Sequence, residues 1–121
     1  MYDEKTSIDY IEESFPSISS CLRDDVFEGL VHLQIAEFSR LAQTAIDLGN
    51  KAEWEKVTKV FINVWNNCTP GVKNALNVSF LEHLLFNNEK ISRSWAYDEM
   101  PNQMRTAWNE MNEYMREIHS G

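Results

Sequence analysis

The sequence predicts an all-α protein, a single-domain antiparallel bundle of about five to six helices. Three observations carry that reading. Only four glycines and three prolines occur in 121 residues, so the chain has few places to turn sharply. No stretch alternates apolar with polar residues over the length of a strand, while apolar residues recur at spacings of three and four throughout. The length suits one domain, and an apolar fraction of 43% gives that domain enough to bury.

Each element has its own signal. Ile8, Ile11 and Phe15 place a short helix at about Ser7 to Ser14, with Asp9, Glu12 and Glu13 on its other side. Pro16 ends it, because proline disfavours helix in the residue before it. Ser17 to Arg23 fits a further turn, and Asp24-Asp25 reads as a loop or a cap for the next helix. The first long helix runs from about Val26 or Leu30 to Leu48. Its stripe is Val31, Ile35, Phe38, Ala42, Ala45 and Ile46, with Gly29 weakening the start and Gly49 at the C-cap.

Asn50 followed by Glu53 has the spacing of an N-terminal cap, opening a helix whose shared face is Trp54, Val57, Phe61, Val64, Trp65 and Cys68. Thr69-Pro70 is a second start signal, a capping hydroxyl ahead of a proline in the first turn. It leads into Val72 to Phe86, apolar on most sides as a helix packed by several neighbours is. Between Asn87 and Met100 the pattern breaks around Ile91, Trp95 and Tyr97, which suggests a short helix and a loop. After Pro101 a last helix carries Met104, Ala107, Trp108, Met111, Met115 and Ile118 at steps of three and four. The methionines among them fit adaptable core better than a binding surface. Short connections imply antiparallel neighbours, and residues 1–121 read as one domain, an acidic segment 1–28 packed on a helical core 29–121.

Charge is unevenly spread. The formal net charge is −8, and the first 28 residues hold Asp3, Glu4, Asp9, Glu12, Glu13, Asp24, Asp25 and Glu28 against only Lys5 and Arg23. Such a concentrated field raises encounter rates with a cationic partner and repels anions. Nucleic acid is excluded as a partner, since Lys51, Lys56, Lys59 and Lys73 are interspersed with glutamates and make no basic stripe. No apolar run approaches the roughly 20 residues of a membrane span. The start of the chain is neither basic nor followed by an apolar run, so it is not read as a signal peptide and the expected location is cytoplasmic.

Candidate chemistry is sparse. His32, His83 and His119 each lack a second histidine or cysteine at helical metal spacing, and Glu82-His83 lie about 100° apart on a helix. No metal and no cofactor are expected. Glu113 and Glu117 read as a solvated face, and no glycine-rich phosphate loop occurs. Cys21 and Cys68 form no CxxC pair and read as free thiols, although a single bridge between them stays open. With no motif that activates a nucleophile, the chain is not expected to be an enzyme. Trp95 and Tyr97 beside Asp98 and Glu99 suit anchors for a basic partner, or equally core aromatics at a helix end.

Three segments carry a resemblance: Val72 to Leu85 (VKNALNVSFLEHLL), the helix led by Pro101 (MPNQMRTAW, from Met100), and Ala36 to Leu41 within the first long helix. Together they resemble small all-α bacterial proteins, some of which serve as immunity proteins in contact-dependent inhibition and related polymorphic toxin systems. The resemblance implies a protein that binds and neutralises a cognate toxin domain. It carries over no catalytic residue, Asn77, Ser79, Phe80 and Leu81 reading as packing positions. Nuclease toxins are commonly basic because they bind phosphate, which suits an acidic inhibitor. The expected partner surface is Asp9, Glu12, Glu13, Asp24, Asp25 and Glu28, with Trp95, Tyr97, Asp98 and Glu99. A non-catalytic adaptor or regulatory protein for another basic partner would use the same surface. Oligomeric state is left open, an exposed apolar face on the 72–86 segment favouring a homodimer and a buried one a monomer.

Overall fold

The computed structural model describes residues 1–86 and 93–120, with side chains given as far as Glu117. Ile91, Ile118 and His119, singled out in the sequence, lie outside the described side chains. Seven α-helices occur among the described residues: α1 (Glu4–Ser14), α2 (Ser19–Leu22), α3 (Val31–Asp47), α4 (Lys51–Trp65), α5 (Pro70–Ala75), α6 (Ser94–Asp98) and α7 (Asn102–Ser120). The all-α expectation holds, α6 is the short helix expected before Met100, and α2, read as a further turn, brings the number to seven. None of the described helices is long and apolar enough to cross a membrane.

α1 begins three residues earlier than its apolar spacing suggests. Asp3 caps it, accepting from Thr6 N at 2.8 Å, and Thr6 Oγ1 accepts from Asp3 N at 2.9 Å. Threonine thus fills the reciprocal role that glutamate or glutamine usually plays in a capping box. Ahead of it, Tyr2 N donates to Asn67 O at 2.7 Å and Tyr2 O accepts from Thr69 N at 2.9 Å. This two-bond clip ties the N-terminus to the α4–α5 connection.

The long-helix caps are those the sequence signals. Asn50 Oδ1 accepts from Glu53 N at 3.2 Å, and Thr69 Oγ1 from Val72 N at 3.4 Å. Gly49, at φ 66, occupies the left-handed conformation that closes α3. α3 itself starts at Val31, later than the Val26 alternative, because Gly29 at φ 80 cannot continue a right-handed helix.

The segment read as one helix from Val72 to Phe86 is composite. α5 widens into a π-helical stretch, Leu76–Phe80, followed by a 3-10 turn, Leu81–His83. The chain then leaves helical geometry at Leu84. Gln43 holds it there: Leu85 N donates to Gln43 Oε1 at 2.9 Å and Gln43 Nε2 to Leu85 O at 3.1 Å. Most of the segment is buried, but Val78 and Leu85 are 44% and 60% exposed.

Two aromatic groups fill the core. Phe15, Phe38, Phe80, Phe61 and Trp65 form a row with successive centroids 5.7, 4.7, 5.3 and 5.3 Å apart, joining α1, α3, the π stretch and α4. Trp54, Phe86, Tyr97 and Trp108 meet edge to face and bring in α6 and α7. Ile8, Ile11 and Leu22 from the acidic segment are fully buried in the same core, so residues 1–28 are part of the domain. Replacing Phe80 by Ala is expected to cost about 3–5 kcal/mol in urea unfolding. Val78→Ala, two residues away on the solvent side, is expected to cost no more than about 0.5 kcal/mol.

Candidate functional site

The acidic segment divides into two parts with different electrostatics, and Arg23 makes the division. Its guanidinium reaches back from the end of α2 to α1, with Nε 3.0 Å from Glu12 Oε2, Nη2 3.0 Å from Glu12 Oε1 and Nη2 2.7 Å from Asp9 Oδ1. Ser19 Oγ also donates to Glu12, at 2.7 Å, and Lys5 Nζ to Asp9, at 2.9 Å. Arg23 and Ser19 hold the Glu12 carboxyl below its ordinary value, and Lys5 and then Arg23 do the same for Asp9. The guanidinium is raised in turn, first by Glu12 and then by Asp9. Asp9 and Glu12 are therefore engaged within the molecule, although the sequence suggested them for a partner; Glu13 on the same helix is exposed.

The second part is the connection from Asp24 to Leu30. Asp24 organises it: its Oδ1 accepts from Val26 N at 2.9 Å, and its backbone carbonyl accepts from Phe27 N at 2.8 Å and Glu28 N at 2.9 Å. Leu30 N then closes on Phe27 O at 2.9 Å, Gly29 supplying the positive φ that lets the chain turn into α3. From α3, the buried Gln34 donates its Nε2 to Leu22 O at 2.9 Å and fixes the base of the connection. The loop is built from local hydrogen bonds, so its shape does not depend on a partner.

Asp24, Asp25 and Glu28 are exposed, and among the described residues no cation lies within ion-pair distance of them. Interleaved with them are Val26, Leu30 and Leu33, exposed by 69%, 51% and 42%. Single exposed apolar side chains are ordinary, but several gathered among uncompensated carboxylates form the mixed surface of a protein interface. A cleft of about 290 Å³ beside the loop is lined by Glu4, Lys5, Arg23, Glu28 and Gln34, among others. By sequence the carboxylates stand out here and Val26, Leu30 and Leu33 do not, since none of the three falls in the apolar stripe of the first long helix; the turn signal of Asp24-Asp25 with Gly29 places Val26 and Leu30 in the connection, and Leu33 lies in the first turn of α3.

The other suggested residues, Trp95, Tyr97, Asp98 and Glu99, lie on and just after α6. Tyr97 is packed between Phe86 and Trp108, and its hydroxyl donates to Asn109 Oδ1 at 2.9 Å. Trp95 is partly buried with Lys51 over its ring, 5.7 Å from the centroid, and Glu99 lies 3.4 Å from the same ammonium. Arg105 Nη2 donates to Asp98 O at 2.7 Å and to Met100 O at 3.0 Å, closing the end of α6. The structure thus occupies much of this group in holding α6 to α4 and α7. The Asp98 carboxylate is exposed, and these residues are not brought together with Asp24, Asp25 and Glu28 by any described contact.

One pairing has catalytic ingredients: His32 Nδ1 and Ser79 Oγ lie 2.9 Å apart. A serine activated by histidine also needs the ring oriented by a third group and an adjoining cleft. Among the described residues no carboxylate contacts His32, and neither residue lines the cleft beside the loop; the contact links α3 to the π stretch. Cys21 and Cys68 are unbonded, and burial pushes the Cys68 thiol up. No group of three or more metal-type side chains converges among the described residues.

A family model described as "Domain of unknown function (DUF7674)" matches residues 8–116. No curated protein and no solved structure matches the chain.

The Arg23 clamp has a pH signature. Asp9 and Glu12 have lowered folded-state pKa values, so the stability they confer is present above their unfolded values and is lost as pH falls through the folded ones. Arg23→Gln is expected to lower unfolding free energy by about 1 kcal/mol near neutrality, the upper end for partly exposed pairs. The difference from the parent should close progressively below about pH 5. Urea titrations of both proteins at stepped pH would measure it.

Proposed function

The chain belongs to the DUF7674 family, and we propose that it is a non-catalytic immunity protein that binds and neutralises a basic toxin domain in the cytoplasm through the 24–33 surface. The observation that carries this reading is the coincidence, on the hydrogen-bonded connection 24–30 and the first turn of α3, of Asp24, Asp25 and Glu28 with no described cation in ion-pair distance and of Val26, Leu30 and Leu33 without cover. The two sets do different work. Carboxylates held in fixed positions steer a cationic partner and speed encounter. Apolar side chains desolvated on contact slow departure. The resemblance of residues 72–85 and 100–108 to immunity proteins supports a toxin as the cationic partner.

Asp9 and Glu12 contribute little to steering, because Arg23 and Lys5 neutralise them at close range. The steering charge is then that of the exposed Asp3, Glu4 and Glu13 and of the loop. Preorganisation matters as well: Asp24 and Gln34 fix the loop before a partner arrives, so binding loses less conformational entropy than it would with a floppy segment.

The test is co-expression with the domain encoded immediately upstream, reading growth rescue and, by stopped flow, association with that domain. Asp25→Lys combined with Glu28→Lys, which spares the turn-forming Asp24, is expected to slow association by about 10-fold or more at low salt. Leu30→Ala is expected to act on dissociation, speeding it by several-fold, with association within about twofold of the parent. A partner that binds through these residues without being toxic alone would replace immunity by the adaptor role; rates unchanged in both variants would remove the loop from the interface.

A further inference from the structure

A second surface, sharing no residue with the loop, lies between α7 and the π stretch. The apolar stripe of α7 outlasts its partners: Met104 is fully buried and Ala107 nearly so, Trp108, Met111 and Met115 are only partly covered, and Tyr114 is 62% exposed. Opposite them, the widened turn of Leu76–Phe80 sends Ser79 and Phe80 inward and leaves Val78 44% exposed. π-Helical turns are rare and are frequently found at functional sites. Between the two elements runs a groove of about 320 Å³, with Trp65, Val78, Met111 and Met115 among its walls. It continues past Met111 and Met115 into a second hollow of about 190 Å³ beside Leu85 and Trp108.

The rim decides the occupant. Glu82 and Glu110 line the groove, and among the described residues neither has a cation within ion-pair distance. Lys73 stands near one end but is engaged over the Trp65 ring, 4.8 Å from its centroid. Asn74 and Asn77 add side-chain amides to the rim. A second copy of the chain would bring acidic rims against each other, and an anionic membrane would be repelled by the net charge of −8. An apolar trough between helices with an acidic, amide-bearing edge matches an amphipathic helix whose apolar face is flanked by lysine or arginine.

We infer that the α7 groove is a docking site for a basic amphipathic helix of a partner protein. Met111 and Met115, flexible and polarisable, suit such a surface because they repack around different apolar side chains. The inference does not rest on the toxin-binding reading, and either can fail alone.

The probe is a fluorescein-labelled, amidated peptide of leucine and lysine with leucines at i, i+3, i+4 and i+7, compared with the leucine–glutamate peptide of the same pattern. Binding is read by anisotropy with the full chain, and by ¹⁵N shifts of the Asn74 and Asn77 side-chain amides. The basic peptide is expected to bind and shift those amides. Its affinity should fall about 10-fold or more in Val78→Arg, and should stay within about twofold in Asp25→Lys/Glu28→Lys. Val78 is solvent-facing, so the arginine variant is expected to fold, with circular dichroism as the check; Glu110→Lys on the rim provides a second variant expected to weaken binding. The inference is overturned by failure of the basic peptide to bind, by equal binding of the acidic peptide, or by loss of binding in the loop variant in place of Val78→Arg. It is also overturned by a concentration-dependent dimer that Val78→Arg dissociates, which would make a second copy the occupant.

Discussion

Phe80 is the side chain around which the rest of the molecule is arranged. It stands in the middle of the row Phe15–Phe38–Phe80–Phe61–Trp65, with no exposed surface and with ring centroids 4.7 Å from Phe38 and 5.3 Å from Phe61. Four elements meet through it: α1 by way of Phe15, α3, the π stretch and α4. Filling such a position requires the backbone to deliver a large ring inward at the end of a helix whose neighbours are already close. The wider π turn does this, and Ser39 Oγ secures the result by donating to Phe80 O at 3.2 Å. The same turn exposes Val78. A packing requirement inside thus has a surface consequence on the α7 side.

The acidic segment depends on that core in a different way. Ile8, Ile11, Phe15 and Leu22 are buried in it, which fixes α1 and α2 against α3 and brings Arg23 within reach of Asp9 and Glu12. Neutralising two carboxylates next to the body of the protein removes the repulsion that a run of acids would otherwise impose on packing. Of the remaining acids, Asp24, Asp25 and Glu28 lie on the loop, where water screens them and no described cation lies within ion-pair distance. Segregation of this kind gives the molecule one region of fold-supporting ion pairs and another whose acids remain available to a cationic surface.

Much of the fold was legible because helix ends and helix faces are local. Asn50 with Glu53, Thr69 with Pro70, and Gly49 each declare a terminus through bonds spanning three or four residues, and each cap lies where its signal places it. The start of α1 was not, because Thr6 in place of glutamate or glutamine disguises the capping box. Nor was the composite nature of residues 70–83, since α, π and 3-10 turns share nearly the same spacing of apolar residues and differ by what packs against them. At the candidate surface, composition pointed to the acidic quarter but could not divide it. Arg23 lies 11 residues from Glu12 and 14 from Asp9, separations that no periodicity reports. Tyr97 and Trp95 could be core or surface by sequence, and the edge-to-face cluster with Phe86 and Trp108 supplies the distinction for Tyr97.

The most direct measurement is hydrogen exchange on the complex with whichever toxin domain the co-expression test identifies, compared peptide by peptide with the free protein. Docking through the loop is expected to slow exchange across residues 24–33 while the amides of α4, already protected by the core, change little. Protection confined to other elements, with residues 24–33 exchanging as they do in the free protein, would contradict the assignment of this surface.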